Sequence, residues 1–262
     1  MSIPFAVRGV DIHVEGDGAE SIVMIHGWPD TYRLWDATVE ALKRRFRCIR
    51  FTLPGFDPAS ERHGYTLDEL AAFLNEVLER VAPGRKVILM LHDWGCVFGY
   101  QYAMRHPEKV ARIVGVDIGD PSSARRIMTG REKVIALVYQ VWLAFAWRIG
   151  GPIGDWMNRE MARRARAPSD PKHISWRMGY PYWVLWFGGR DSYARHARRF
   201  VPPCPMLFVY GRKKPLRFHA PAWAEELGRK PGSQVVEFDT GHWVMSNDPS
   251  RFNQVVAQWL AR

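Results

Sequence analysis

Residues 87–95 read Val87-Ile88-Leu89-Met90-Leu91-His92-Asp93-Trp94-Gly95, and the reading of this stretch decides the fold. Five apolar residues in a row describe a buried strand, and a carboxylate follows at its end. Glycine and then a helix-like pattern from Cys96 to Arg105 come next. A sharp turn from strand to helix lifts one reactive side chain clear of the sheet, and here that side chain is Asp93. The competing reading makes Asp93 a helix N-cap, a common role for Asp at such a junction. None of the eleven serines stands in a Gly-x-Ser-x-Gly setting, and Cys96 lies between the bulky Trp94 and Phe98. A carboxylate nucleophile attacks carbon through a covalent ester, so the expected chemistry is displacement at saturated carbon.

Outward from this turn, short β-branched runs alternate with helical patterns, which predicts an α/β fold with a mostly parallel sheet and helices on both faces. Strands are expected at Val10–Val14, Ser21–Ile25, Cys48–Thr52, Lys86–Leu91, Ala111–Asp117, Met206–Tyr210 and Gln234–Phe238. Helices are expected at Arg33–Arg44, Thr66–Val81, Cys96–Arg105, Pro221–Gly228 and Pro249–Leu260. The alternation stops between residues 122 and 199, which hold six of the twelve tryptophans. The expected organisation is therefore a core of residues 1–121 and 200–262 with a helical cap, 122–199, inserted between two strands.

The 262 residues suit one α/β domain with an insertion, and 47% hydrophobic residues allow a sizeable core. Three unpaired-looking cysteines and the lack of a long apolar run in Met1–Gly9 point to a reduced, cytoplasmic setting. Val134–Trp147 is the longest apolar stretch. Fourteen helical residues rise only about 21 Å, short of the ~30 Å hydrocarbon layer, so a buried or interfacial helix is expected. The net charge of +10 is concentrated in residues 122–199, with 15 Lys and Arg against 5 Asp and Glu. A solvated basic face explains this; attraction to a membrane surface or to acidic substrates is the alternative. No zinc spacing, helix-turn-helix or RNA-binding motif accompanies the charge, so nucleic acid is not an expected partner. A homodimer is left open.

Two further turns carry chemistry. His26-Gly27-Trp28-Pro29 follows the apolar strand ending at Ile25, where glycine permits a tight turn and proline fixes the exit. Such a turn can aim the Trp28 N–H at a neighbouring site, and with the Trp94 N–H it would form an oxyanion hole. Gly241-His242-Trp243 follows Gln234–Phe238, so His242 stands in a loop at a strand's C-terminal end, where open α/β sheets place their sites.

With these turns in this order, and a helical insertion between strands, the chain resembles the α/β-hydrolase superfamily, in the branch of epoxide hydrolases and haloalkane dehalogenases. The matching segments span nearly the whole chain. The resemblance implies Asp93 as nucleophile, His242 as base and no cofactor or metal. Two departures stand out: the residue two before the nucleophile is usually small but is Leu91 here, and the Gly-x-x-Asp turn that often bears the triad acid reads Gly211-Arg212-Lys213-Lys214. Some members instead carry the acid after the strand preceding the cap, which implies Asp117, with Asp120 as the alternative. Epoxide hydrolases use two cap tyrosines to protonate the opening ring. Tyr139 resembles the first, and Tyr180 or Tyr182 the second. The expectation is an epoxide hydrolase acting on a small apolar substrate, with His26, Trp28 and Trp94 around the oxyanion. The alternatives are a haloalkane dehalogenase and a non-catalytic ligand receptor on the same scaffold.

Overall fold

The computed structural model describes residues 5–262; the first four residues of the N-terminal stretch read above lie outside the described part. Eight strands, β1 (Phe5–Val7), β2 (Val10–Glu15), β3 (Glu20–Ile25), β4 (Phe46–Phe51), β5 (Val87–His92), β6 (Val110–Val116), β7 (Met206–Gly211) and β8 (Gln234–Phe238), form one sheet. Their order is β1-β2-β4-β3-β5-β6-β7-β8, antiparallel at the β1 edge and parallel from β4 through β8. Every residue of β5 is buried, as a central strand covered on both faces requires.

Local signals fix the helices around it. The helix Leu67–Val81 opens with a reciprocal capping box between Thr66 and Glu69. The segment read as one helix from Arg33 is a 3-10 turn, Tyr32–Trp35, followed by a short α-helix, Asp36–Leu42. Strand β1 was not expected, because three residues carry too little periodicity to read.

Between β6 and β7 the chain is helical, including Pro121–Ile127, Gly130–Ile149, Gly151–Ala165 and Tyr180–Phe187. Its side chains reach the loops at the C-terminal ends of β3 and β5. The Trp28 indole donates to Asn158 Oδ1 at 2.8 Å, and the Ser169 hydroxyl donates to Asp30. No helix among the described residues is long and apolar enough to cross a membrane. The three cysteines are free thiols.

Candidate active site

Asp93 sits at φ 51° and ψ −123°, a left-handed conformation that a non-glycine residue adopts only under constraint. The constraint comes from its neighbours. A Cβ at Gly95 would strike the carbonyls of Ile25 and His26, and a Cβ at Gly27 would strike Asp93 and the Trp94 N–H. Both glycines let β3 and the turn after β5 approach until the Trp28 N–H donates to Asp93 Oδ1 at 2.7 Å. Asp93 stands at the N-cap position of its helix, but its side chain makes no capping bond there. Leu91 finds its room elsewhere: a Cβ at Gly99, on the following helix, would collide with both Leu91 methyl groups. The bulk expected at the turn is thus absorbed one helical turn later. Cys96 is fully buried, and burial pushes its thiol up to about 12, so no thiolate competes with the carboxylate.

His26 lies under the turn. Its Nε2 accepts the Leu53 N–H at 2.9 Å, which leaves the proton on Nδ1, 2.9 Å from the Gly27 carbonyl. Burial lowers its pKa to about 4, so the ring is neutral. With both nitrogens engaged and no exposed surface, His26 shapes the Gly27–Trp28 turn rather than touching anything bound above it.

The structure brings His242 between two carboxylates. Its Nδ1 hydrogen-bonds Asp117 Oδ2, and its Nε2 stands 3.4 Å from Asp93 Oδ2. Burial disfavours the imidazolium, but the charges and hydrogen bonds of Asp117 and Asp93 outweigh this and raise its pKa to about 9. Burial also opposes ionisation of Asp93, yet the His242 hydrogen bond and charge bring it below the ordinary carboxylate range. Asp120, by contrast, caps the helix Pro121–Ile127, accepting from the Ser122 and Ser123 N–H groups. Asp239 is held at the surface by Arg212 and Lys213.

Lys214 occupies the position where the family often has its acid, and its side chain turns inward. Its ammonium pairs with Asp117 Oδ1, which also accepts the Gly211 N–H at 3.0 Å. The lysine side chain is 5% exposed and Asp117 is fully buried. Burial alone would raise the Asp117 pKa; Lys214 and then His242 drive it well below the usual range. Read from the sequence, Lys214 is a departure from the Gly-x-x-Asp pattern; in the structure it is the ion-pair partner of Asp117. The signal was available in a lysine standing in the usual place of an acid while another acid closed the neighbouring strand.

Asp30 and His92 were also passed over. The Asp30 carboxylate accepts from Ser169 and from the Trp243 indole at 2.9 Å, and lies 3.7 Å from His92 Nδ1. Burial raises Asp30 to about 6 and lowers His92 to about 3. Asp30 thereby ties the Gly27–Trp28 turn, the His242 loop and the helical segment together.

Of the three tyrosines, Tyr139 and Tyr182 come together, with ring centroids 5.9 Å apart. Tyr182 also packs edge-on to Trp94 at 5.2 Å and Trp28 at 6.3 Å. Burial raises Tyr139 to about 12 and pushes Tyr182 well above the ordinary phenol range, and the Asp93 charge adds to both. Tyr180 is not brought to Asp93. It packs against Phe56 and Tyr65, and its buried hydroxyl has no hydrogen-bond partner.

A parallel-sheet core with an acidic side chain on a strained strand-to-helix turn and a histidine facing it defines a hydrolase-type α/β architecture. A family profile described as alpha/beta hydrolase family matches residues 22–255, and the chain belongs to that family. Among curated proteins, "Epoxide hydrolase 1" of Caenorhabditis elegans is 26% identical over 126 residues, which are 46% of this chain and 31% of that protein. "Probable oxidoreductase EphD" of Mycobacterium tuberculosis is 31% identical over 123 residues, 45% of this chain and 21% of the relative. "Cis-3-alkyl-4-alkyloxetan-2-one decarboxylase" of Shewanella oneidensis is 33% identical over 109 residues, 40% of this chain and 34% of the relative. The chain thus matches a third or less of the length of the first two relatives and 34% of the third. The fold is shared with the Bacillus megaterium epoxide hydrolase solved with an inhibitor, at TM-score 0.73 and 19% identity over 99% of this chain and 100% of that one.

Proposed function

We propose that this protein is an epoxide hydrolase that opens an apolar epoxide to a vicinal diol. The observation that carries the reading is the placement of Asp93 Oδ2 beside His242 Nε2 at 3.4 Å, with the pair Tyr139 and Tyr182 on the side of the helical segment that faces Asp93. The helical segment acts as the cap over this site.

Asp93 Oδ1 is held by the Trp28 N–H, so Oδ2, on the His242 side, is the oxygen left to attack. Attack on a ring carbon forms the Asp93 ester, and the breaking carbon–oxygen bond leaves an alkoxide. Tyr139 and Tyr182 stay protonated at neutral pH and donate to that oxygen. Esterification removes the Asp93 charge, one of the influences that make His242 basic, which favours the neutral ring when a water must be deprotonated. His242 takes one proton of the water as its oxygen attacks the ester carbonyl, and the Trp28 and Trp94 N–H groups hold the oxyanion; the diol departs with the original ester oxygen and the water's second proton, and the proton on His242 returns to the tyrosinate.

The receptor alternative finds no support in a site that sets His242 within reach of both Asp93 and Asp117. A halide cradle needs convergent N–H donors; the Trp94 indole can offer one, but the Trp28 indole is already spent on Asn158. A panel of aryl and alkyl epoxides and haloalkanes, assayed for diol and for halide, tests the proposal. Diol formation is expected; halide release with every epoxide ignored would replace it with dehalogenation.

A further inference from the structure

The helix Gly130–Ile149 is apolar on both sides. Its inner side buries Leu143, Ala144 and Ala146 and carries Tyr139, which packs on the core, and the half-buried Trp142 lies at the border between this side and the outer one. Its outer side exposes Val134, Leu137, Val138, Phe145 and Ile149, a stripe at helical spacing that faces solvent. Val134 and Val138 are each 60% exposed. Neighbouring helices extend the stripe: Phe187 packs against Phe145 at 5.8 Å, and Trp156, 58% exposed, packs against Trp142 at 5.9 Å. Of the twelve exposed large hydrophobic residues among the described residues, eleven lie between Ile127 and Phe187. A soluble surface seldom gathers its apolar side chains in this way without a partner.

The charge around the stripe identifies the partner. Successive residues turn by about 100° along a helix, so Arg131 and Arg148 fall on the same face as the stripe at its two ends, with Lys133 beside it. All three are exposed, and none makes an ion pair among the described residues; the same holds for Arg190, three residues after Phe187. Four of the five carboxylates between 122 and 199 are occupied elsewhere. Glu132 closes its own capping box, Asp155 accepts the Trp176 N–H, Glu160 pairs with Arg163 and Arg164, and Asp170 pairs with Lys172. A second copy docking through this face would bring like charges together, whereas an anionic surface complements them.

We propose that the outer face of helix Gly130–Ile149, with Trp156 and Phe187, docks on an anionic lipid bilayer. The helix lies in the interfacial plane, its apolar stripe entering the acyl boundary and its arginines and lysine meeting lipid headgroups. If the proposed function holds, this docking places the cap, whose inner side bears Tyr139, against the phase in which an apolar epoxide dissolves. The docking itself does not depend on that reading.

Flotation of the full chain with vesicles tests it without any activity measurement. Vesicles of phosphatidylcholine mixed with phosphatidylglycerol should carry the protein at low salt, and vesicles of phosphatidylcholine alone should carry far less. Arg131→Glu, Lys133→Glu and Arg148→Glu combined should weaken binding by at least roughly tenfold. Val138→Asp with Phe145→Asp should weaken it comparably, and all these residues are exposed enough for the variants to fold. Failure of the wild type to float with the anionic vesicles would overturn the proposal. So would a stable dimer in light scattering that Val138→Asp with Phe145→Asp dissociates while no vesicle is bound, because the face would then join two copies of the chain.

Discussion

Replacing Lys214 with Met should make His242 more basic and shift the pH range over which the ester intermediate is hydrolysed. Lys214 and His242 take the two oxygens of one buried carboxylate, so the lysine charge opposes a second positive charge on the imidazole. Groups bound to opposite oxygens of a carboxylate stand roughly 5 Å apart, and at an effective dielectric of about 20 their repulsion is about 3 kcal/mol. That is an upper bound of about two pK units, and relaxation around the cavity leaves roughly one to two. The base must be neutral to take a proton from water, so the acid limb of ester hydrolysis should move to higher pH by that amount. The assay is single-turnover decay of the alkyl-enzyme across a pH series, with circular dichroism to show that each variant is folded. Breaking a buried pair costs about 3–5 kcal/mol when one charge is left behind, so Lys214→Arg serves as the charge-preserving companion. It should keep the wild-type limb. An unmoved limb in folded Lys214→Met would refute the idea that the lysine tunes the base through Asp117.

Returning the acid to its common place by combining Asp117→Asn with Lys214→Asp should recover part of the hydrolysis rate that Asp117→Asn alone loses; no recovery would show that the β7 turn cannot present a carboxylate to His242. Tyr139→Phe with Tyr182→Phe should eliminate epoxide opening, while Tyr180→Phe, remote from Asp93, should leave it near wild type in a steady-state diol assay. Stability should fall on acidification from pH 7 to pH 5. His26 and His92 have folded pKa values of about 4 and about 3, below the ordinary 6.5, so the stability present above 6.5 is lost as pH drops, at about 2 kcal/mol each by pH 5. Asp30, raised to about 6, works in the opposite sense, returning a smaller amount. A melting temperature that rises over this range would contradict the burial of neutral imidazoles.

The sheet was legible because its central strands are continuous apolar runs and its turns carry Gly27, Gly95 and Gly241 at strand ends. The Leu91 departure looked like an obstacle because its compensation, Gly99, lies across a helix, and no local pattern links the two. Asp117 could be proposed from its place after β6, but the inward turn of Lys214 is a tertiary fact. Tyr180 and Tyr182 lie two positions apart on a helix, about 200° around its axis, so they cannot face one site together. Sequence spacing shows that one must be chosen, and only packing against Trp94 and Trp28 shows which. Asp30 escaped notice because its partners, Ser169, Trp243 and His92, come from three separate parts of the chain.

The central claim is a covalent ester on Asp93, and intact mass of His242→Gln after brief exposure to an epoxide tests it most directly. Without its base the enzyme should alkylate and stall, gaining the mass of one epoxide on the peptide that contains Asp93. Wild type taken through a single turnover in heavy-oxygen water should retain one label in the Asp93 carboxylate. An unmodified His242→Gln protein that still forms diol, with label found only in the product, would contradict the account.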